Sequence, residues 1–253
     1  MAIVIKYGDH AMTDLAARRA VAREIGALAG GGLAPVVVHG GGPFIKAALD
    51  AAGLEHRFVR GLRVTSAESL PYVEQALTLL NKQLAQDIGA AVGLTGRDAH
   101  VLTARTFDET LGFVGRVTEV NVALLEALLT AHITPVLACL AENEAGDNVL
   151  NVNADEVAGG VAGALKAPVV FLTDVAGVLN DPSDPDSLLT NLTKAEVEAR
   201  IEDGRISGGM IPKVDAALGA LEQGAVYAVI ADGRVPEKLR MALEGKTGTR
   251  LVR

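Results

Sequence analysis

Tryptophan is absent, and cysteine occurs once, at Cys139. A lone thiol cannot close an internal disulfide, so an oxidised framework is excluded and a reducing cytoplasm is the expected setting. Cys139 lies in PVLACL and reads as a small core residue rather than a nucleophile. Aromatic residues make up 3% of the chain, too few for the stacking platforms on which single-stranded nucleic acids lie. Lys and Arg number 23 against 31 Asp and Glu, a formal charge of −8 with the two signs interspersed. A nucleic-acid surface needs a basic stripe, and none is present. No apolar run is long enough to span a bilayer. Met1-Ala2-Ile3 passes directly into an apolar run, so no secretory leader is expected. Neither nucleic acid nor membrane is an expected partner.

What is present is a chain of 253 residues, 49% of them apolar, ample for a sizeable core. Short β-branched runs alternate with longer helical stretches. IVIKY (3–7), APVVVH (34–39), ITPVLACL (133–140), PVVFLTD (168–174) and AVYAVIA (225–231) read as buried strands. Helices are expected at 15–28, 44–52, 71–88, 122–131, 152–166, 194–201 and 214–221. The strongest is 71–88, where Val73, Leu77, Leu80, Leu84 and Ile88 recur at three- and four-residue steps. This alternation predicts an α/β fold: a mainly parallel sheet with helices on both faces, three layers in all. HRFVRGLRVT (56–65) and residues 100–118 break the rhythm. Both read as β-hairpins at an edge or lid of the first half. NDPSDPDS (180–187) is a turn-rich surface loop and the most linker-like stretch.

Chemistry gathers at strand ends. VVVHGGGPF (36–44) ends a strand in three glycines, Gly40, Gly41 and Gly42. Their N–H groups can approach an anion closely, and a following helix adds its positive end. The triplet alone is either a phosphate cradle or a tight turn without a ligand, and it matches neither the dinucleotide nor the P-loop fingerprint. His39 before it reads as a hydrogen-bonded core histidine. Lys6 ends the first strand just before Gly8, and a lysine in an apolar strand costs desolvation unless it meets an anion or reaches solvent. In SGGMIPKV (207–214), Gly208 and Gly209 form a bend and Lys213 opens a helix. A cation there opposes the helix dipole, so a negative group is expected beside it. Two such lysines next to two glycine turns suggest a clamp on a transferring phosphoryl group. Asp155 falls in a first helical turn, where it either complements the dipole or orients the lysines. Asn153 and Glu156 have the spacing of a capping pair. Asp174, then Gly177, suits a nucleotide. Arg63 suits a carboxylate, or is a solvent-exposed hairpin arginine.

Taken together, KYG near the start, HGGGP, GLRVT, GLTGRDA, LNVNAD, LTDVAGVLNDP and GGMIPKV occur in this order over nearly the whole chain. The ordered set resembles the N-acetyl-L-glutamate kinases, of the amino acid kinase fold. The resemblance implies ATP-dependent phosphorylation of the γ-carboxylate of N-acetyl-L-glutamate in arginine biosynthesis, with Mg²⁺ bridging the phosphates and few direct protein ligands to it. It implies one domain over 1–253, with an N-terminal half (about 1–165) for the acyl amino acid and dimerisation and a C-terminal half (about 166–253) for the nucleotide. Lys6 and Lys213 would stabilise the transferring phosphoryl, and Asp155 would organise them. Gly41, Gly42, Arg63 and Asn151 would hold the substrate. Gly8, Asp174, Val175, Ala176, Gly177, Val178, Leu179, Arg205, Ile206 and Ser207 would line the nucleotide site. The family's dimer contact maps onto 71–88, so a homodimer is expected. Arginine-inhibited members carry a helix before the first strand; here the strand begins at once, which predicts no arginine feedback.

One position departs from the pattern. The family reads Lys-x-Gly-Gly, and this chain reads KYGD. At an effective dielectric near 20, a carboxylate a few ångströms from phosphate is repelled by roughly 4 kcal/mol. Asp9 therefore turns away, lowers activity, or takes a local role such as a metal contact. The competing readings are a binding protein with weak catalysis and a kinase of a sibling carboxylate; the missing fingerprint weighs against a nicotinamide oxidoreductase. A hydroxamate assay of wild type and Asp9→Gly separates the cases. Robust acyl phosphate from wild type makes Asp9 a tolerated variation. Product from Asp9→Gly alone means that the phosphate loop has been switched off.

Overall fold

The computed structural model describes residues 1–8 and 12–253; the reading of Asp9 lies outside the described residues. Strand β1 (Ala2–Tyr7) leads to helix α1 (Leu15–Gly30), which Asp14 caps through the Ala17 N–H. β2 (Ala34–His39) runs into α2 (Gly42–Ala51) through a two-residue turn, Gly40 and Gly41. A ribbon of β3 (Phe58–Val59) and β4 (Leu62–Arg63) precedes α3 (Leu70–Ile88) and β5 (Ala91–Leu94). A longer ribbon, β6 (Leu102–Thr106) with β7 (Val114–Val120), is followed by α4 (Val122–Thr130), β8 (Thr134–Ala138), β9 (Leu140–Asn143) and β10 (Val149–Val152). The rest of the chain is α5 (Ala154–Ala164), β11 (Val169–Thr173), β12 (Asn191–Thr193), α6 (Lys194–Glu202), α7 (Ile211–Glu222), β13 (Ala228–Asp232), α8 (Pro236–Leu243) and β14 (Thr249–Val252).

Eight strands form one sheet in the order β12-β14-β13-β11-β1-β2-β8-β5, parallel except for the β13–β14 pair. Period-two alternation sends successive residues of β1 to opposite faces. Ile3, Ile5 and Tyr7 pack with Val21, Ile25 and Leu84 in one core. Val4 packs with Val36, Val157 and Val161 in the other. Helices α1, α3 and α8 contribute to the first core, α4, α5 and α7 to the second. This is the three-layer mainly parallel arrangement that the alternating pattern predicts. The same alternation puts Lys6 on the Val4 face, under the start of α5.

Several elements differ from the sequence reading. ITPVLACL is not one strand: β8 stops at Ala138, and β9 resumes at Leu140 in a different sheet. The break is held from outside the strand, since the Leu140 carbonyl accepts the Gly96 N–H at 2.8 Å and the Cys139 carbonyl accepts Val152 N–H at 3.0 Å. The second expected hairpin does form, but it is not free-standing. β6 and β7 close with β9 and β10 into a small barrel. The helix expected from 152 starts at Ala154, because Val152 still pairs with β7 and Asn153 caps the Asp155 and Glu156 N–H groups at 2.8 and 3.3 Å. The 180–187 stretch is a pinned surface loop, with Asn180 N–H donating to the Ser187 carbonyl at 2.8 Å. Strands β5, β12 and β14 and helix α8 were too short to announce themselves by periodicity.

Helix α5 lies so close to the turn after α7 that Gly163 has no room for a side chain. A Cβ on Gly163 would sit 2.0 Å from the Gln223 carbonyl oxygen. Gly163→Ala is expected to cost about 1–3 kcal/mol of stability, seen as a lower urea midpoint at unchanged slope. Gly219→Ala, where a Cβ meets nothing within 4 Å, is the control and is expected to gain up to ~1 kcal/mol from helix propensity.

Candidate active site

Parallel sheets present ligands at the carboxyl ends of their strands, and here β1, β2 and β11 end side by side in Lys6-Tyr7-Gly8, His39-Gly40 and Thr173-Asp174. Three cavities open along this edge. The middle one, about 380 Å³, is lined by Lys6, Gly8, Asp155, Asp174, Gly209 and Lys213, among others. Lys6 Nζ lies 2.9 Å from Asp155 Oδ1, and Lys213 Nζ lies 3.2 Å from Asp174 Oδ1. The negative group expected beside Lys213 is thus Asp174, whereas Asp155 serves Lys6. Lys213 also donates to the Gly209 carbonyl at 3.3 Å, which ties it to the glycine bend. Gly8 fits because it has no side chain: a Cβ would stand 2.7 Å from the Leu172 carbonyl oxygen. The Gly8 N–H itself donates to that oxygen at 3.0 Å, so the role it plays here is room rather than a free donor.

The second cavity, about 540 Å³, lies beyond β2. Gly41, Gly42, Arg63 and Asn151 all line it. Arg63 is only 9% exposed, stacks on Phe58 at 4.6 Å and donates to the Gly42 carbonyl at 3.3 Å. It is a buried arginine facing a cavity, not a solvent-exposed hairpin residue. Asn151 donates to Thr65 Oγ1 at 3.2 Å. Cys139 is buried as expected, yet it also borders this cavity.

The third cavity, about 370 Å³, is lined by 174–179 and 205–207 together with Pro182, Met210 and Arg234. Asp174 belongs to both this cavity and the middle one, so it marks their seam. Sequence reading missed Arg234, which grips Asp232 through Nε and Nη2 at 2.9 and 2.8 Å. That grip holds the Asp232 carboxyl below its ordinary range. It also missed Thr249, 70 residues downstream of the loop it fixes. Thr249 Oγ1 accepts the Val178 N–H at 2.8 Å and donates to the Leu189 carbonyl at 2.6 Å. No local motif announces such a contact.

A wider cleft of about 1000 Å³ was not anticipated. Arg60, Arg105 and Arg116 stand on its ribbon side, and Asp215 and Glu222 on the α7 side. Glu156 at its floor accepts the Val117 N–H at 3.1 Å, so only the Asn153 half of the expected capping pair is made. Burial pushes the Glu156 carboxyl up, partly offset by that N–H and by Arg116. Among the described residues no group of three metal-ligating side chains occurs. Both acids facing the middle cavity are already paired with lysines. That composition suits a hard divalent ion carried on phosphates and water, with one carboxylate at most from the chain.

The arrangement joins an apolar loop-lined cavity to an Arg- and Asn-lined one through a chamber holding two ammonium groups. Comparisons with known proteins agree. The amino acid kinase family profile matches residues 1–232. An acetylglutamate kinase of Deinococcus radiodurans is 55% identical over 250 residues, covering 99% of this chain and 100% of that one. One from Paracoccus denitrificans is 43% identical, covering 95% and 80%. Among solved structures, smu.665 of Streptococcus mutans UA159 matches with a TM-score of 0.80 at 31% identity, over 99% of this chain and 98% of that one. Carbamate kinase of Giardia lamblia, TM-score 0.72 at 18% identity over 100% and 98%, shares the fold. Matched from end to end in both sequence and architecture, the chain belongs to the amino acid kinase family and groups within it with the acetylglutamate kinases.

Proposed function

We propose that this protein phosphorylates the γ-carboxylate of N-acetyl-L-glutamate with ATP, forming N-acetyl-L-glutamyl 5-phosphate and ADP for arginine biosynthesis in the cytoplasm. The observation that carries the reading is the chamber between the two flanking cavities, with Lys6 and Lys213 on its walls. The 174–179 and 205–207 loops hold the nucleotide in the C-terminal half, about 166–253. The N-terminal half, about 1–165, holds the acyl amino acid: Arg63 and Asn151 take its α-carboxylate, and the Gly41 and Gly42 turn takes the reacting end. A carboxylate oxygen attacks the γ-phosphorus, the bond from that phosphorus to the β–γ bridging oxygen breaks, and ADP leaves with the electron pair. The nucleophile is already an anion, so no general base is required. Alignment and charge neutralisation supply the rate. Lys6 and Lys213 donate hydrogen bonds to the transferring phosphoryl, and Asp155 and Asp174 hold them in place. Mg²⁺ on the nucleotide would neutralise further phosphate charge, with Asp174 the carboxylate nearest to hand. The names of the relatives weigh against a binding-only role.

A second copy of the chain is the partner this reading calls for. The outward face of α3 exposes Leu79 at 61% and Tyr72 at 37%, beside Pro71 and Thr78. A homodimer through this face would cover them.

In the hydroxamate assay with Mg-ATP, Lys6→Ala is expected to lower kcat about 10²–10³-fold. Arg63→Ala is expected to raise KM for N-acetyl-L-glutamate roughly 10–100-fold, the loss of a charge-assisted bidentate contact, while KM for ATP stays near wild type. Calorimetric titration with ADP should show Thr249→Val binding about tenfold more weakly, because the buried Val178 N–H loses its acceptor. Sedimentation should show wild type as a dimer and Leu79→Asp as a monomer. Dimeric Leu79→Asp would move the interface elsewhere.

A further inference from the structure

The glycine turn after β2 rests on two fully buried polar side chains that the reaction scheme does not use. His39 Nδ1 lies 2.7 Å from the Gly40 carbonyl oxygen. His39 Nε2 lies 3.0 Å from Asn81 Nδ2, on α3. Asn81 Nδ2 also donates to the Val136 carbonyl at 2.8 Å. Both residues are 0% exposed.

Among the described residues, this network admits one assignment. The Val136 carbonyl can only accept, so the atom facing it is the amide nitrogen of Asn81. That nitrogen has two hydrogens, one for Val136 and one for His39. His39 Nε2 is then an acceptor, and the ring proton sits on Nδ1, where it donates to the Gly40 carbonyl. Nothing else in the ring could satisfy that oxygen.

The Gly40 carbonyl and the Gly41 N–H belong to one planar trans peptide, and they point in opposite directions. Holding the carbonyl toward His39 therefore aims the Gly41 N–H away from the ring. Gly41 is buried and lines the substrate cavity. Among the described residues no hydrogen bond engages its N–H. A buried backbone donor calls for a partner, and the cavity that Gly41 lines is where this one can find it. Helix α3 fixes the position as well as the orientation: a Cβ on Gly41 would stand 2.6 Å from Leu77 Cδ2. The Asn81 carboxamide is itself boxed in, since a Cβ on Gly93 would fall 2.1 Å from Asn81 Oδ1.

We infer that His39 and Asn81 are positioning residues: Asn81 selects the Nδ1–H tautomer of His39, and His39 thereby orients the Gly40–Gly41 peptide so that the Gly41 N–H meets charge developing on the oxygens between carboxylate and γ-phosphorus. The inference rests on the kinase reading above. It concerns kcat rather than affinity, because a preoriented donor is worth most where charge is greatest.

Two substitutions at His39 divide the ring's contacts. His39→Gln places its terminal amide near the Nε2 position and loses the donor to Gly40. His39→Asn places a donor near the Nδ1 position and loses the Asn81 contact. Both truncate the ring, so both are expected to lower the urea midpoint comparably. His39→Gln is expected to lower kcat about 10²-fold with both KM values within about threefold, and His39→Asn to recover at least about tenfold of that loss. Equal losses of kcat in the two variants would overturn the proposal. The bond is read independently of turnover by long-range ¹H–¹⁵N correlation on the wild-type protein, assigned against His39→Asn, or by selective labelling where that variant does not fold. A His39 ring protonated on Nδ1 alone is expected, with the second tautomer emerging in Asn81→Leu. A ring protonated on Nε2 in wild type, or an unaltered tautomer in Asn81→Leu, would overturn it. Failure of wild type to make acyl phosphate would instead sink the functional reading and leave the tautomer measurement standing.

Discussion

A lysine inside a parallel sheet has to be answered by a negative charge, and much of this molecule follows from that requirement. Lys6 stands between two neighbouring strands with its side chain only 13% exposed. Left alone it would carry a desolvation cost that the strand could not support. The start of α5 supplies the answer. Asn153 caps the helix, and this fixes the first turn so that Asp155 reaches the ammonium at 2.9 Å. With Asp155 about one-third exposed, the pair belongs between the weak surface class and the strong buried class. Its value lies less in stability than in holding Lys6 at the mouth of a cavity.

Helix α5 can hold that position only because it is made of small residues. Gly159 and Gly163 let the end of α7 approach at backbone contact distance. Helix α7 carries Lys213 near its start, where the dipole opposes a cation; Asp174 at the end of β11 offsets it. Each lysine is thus paired with an acid from a different element. Together the four groups are formally neutral.

The barrel of β6, β7, β9 and β10 plays a complementary part. It takes the chain out of the main sheet at Cys139, and its strand β10 places Asn151 on the cavity that the glycine turn also lines. The ribbon of β3 and β4 completes the wall with Arg63, buried and stacked on Phe58. The cleft outside has arginines on one side and acids on the other, a charge pattern that favours approach of the two sides.

Sequence by itself determined the α/β class, the long strands, the long helices and the family, because each depends on local periodicity or on ordered motifs. It also marked the residues that now line the cavities, because glycines, lysines and acids at strand ends are costly anywhere else. Tertiary structure alone decided which acid serves which lysine, since each acid is remote from both lysines in sequence and the packing of α5 and α7 makes the pairs. It alone revealed Thr249 behind the 174–179 loop and Asn81 behind His39, pairs separated by 71 and 42 positions. It alone broke ITPVLACL into two strands of different sheets, for an apolar run says that a segment is buried without saying in which sheet. The physical reason is common to all of these. Periodicity and propensity act over a few residues, whereas partners for buried polar groups come from whichever element folding brings alongside.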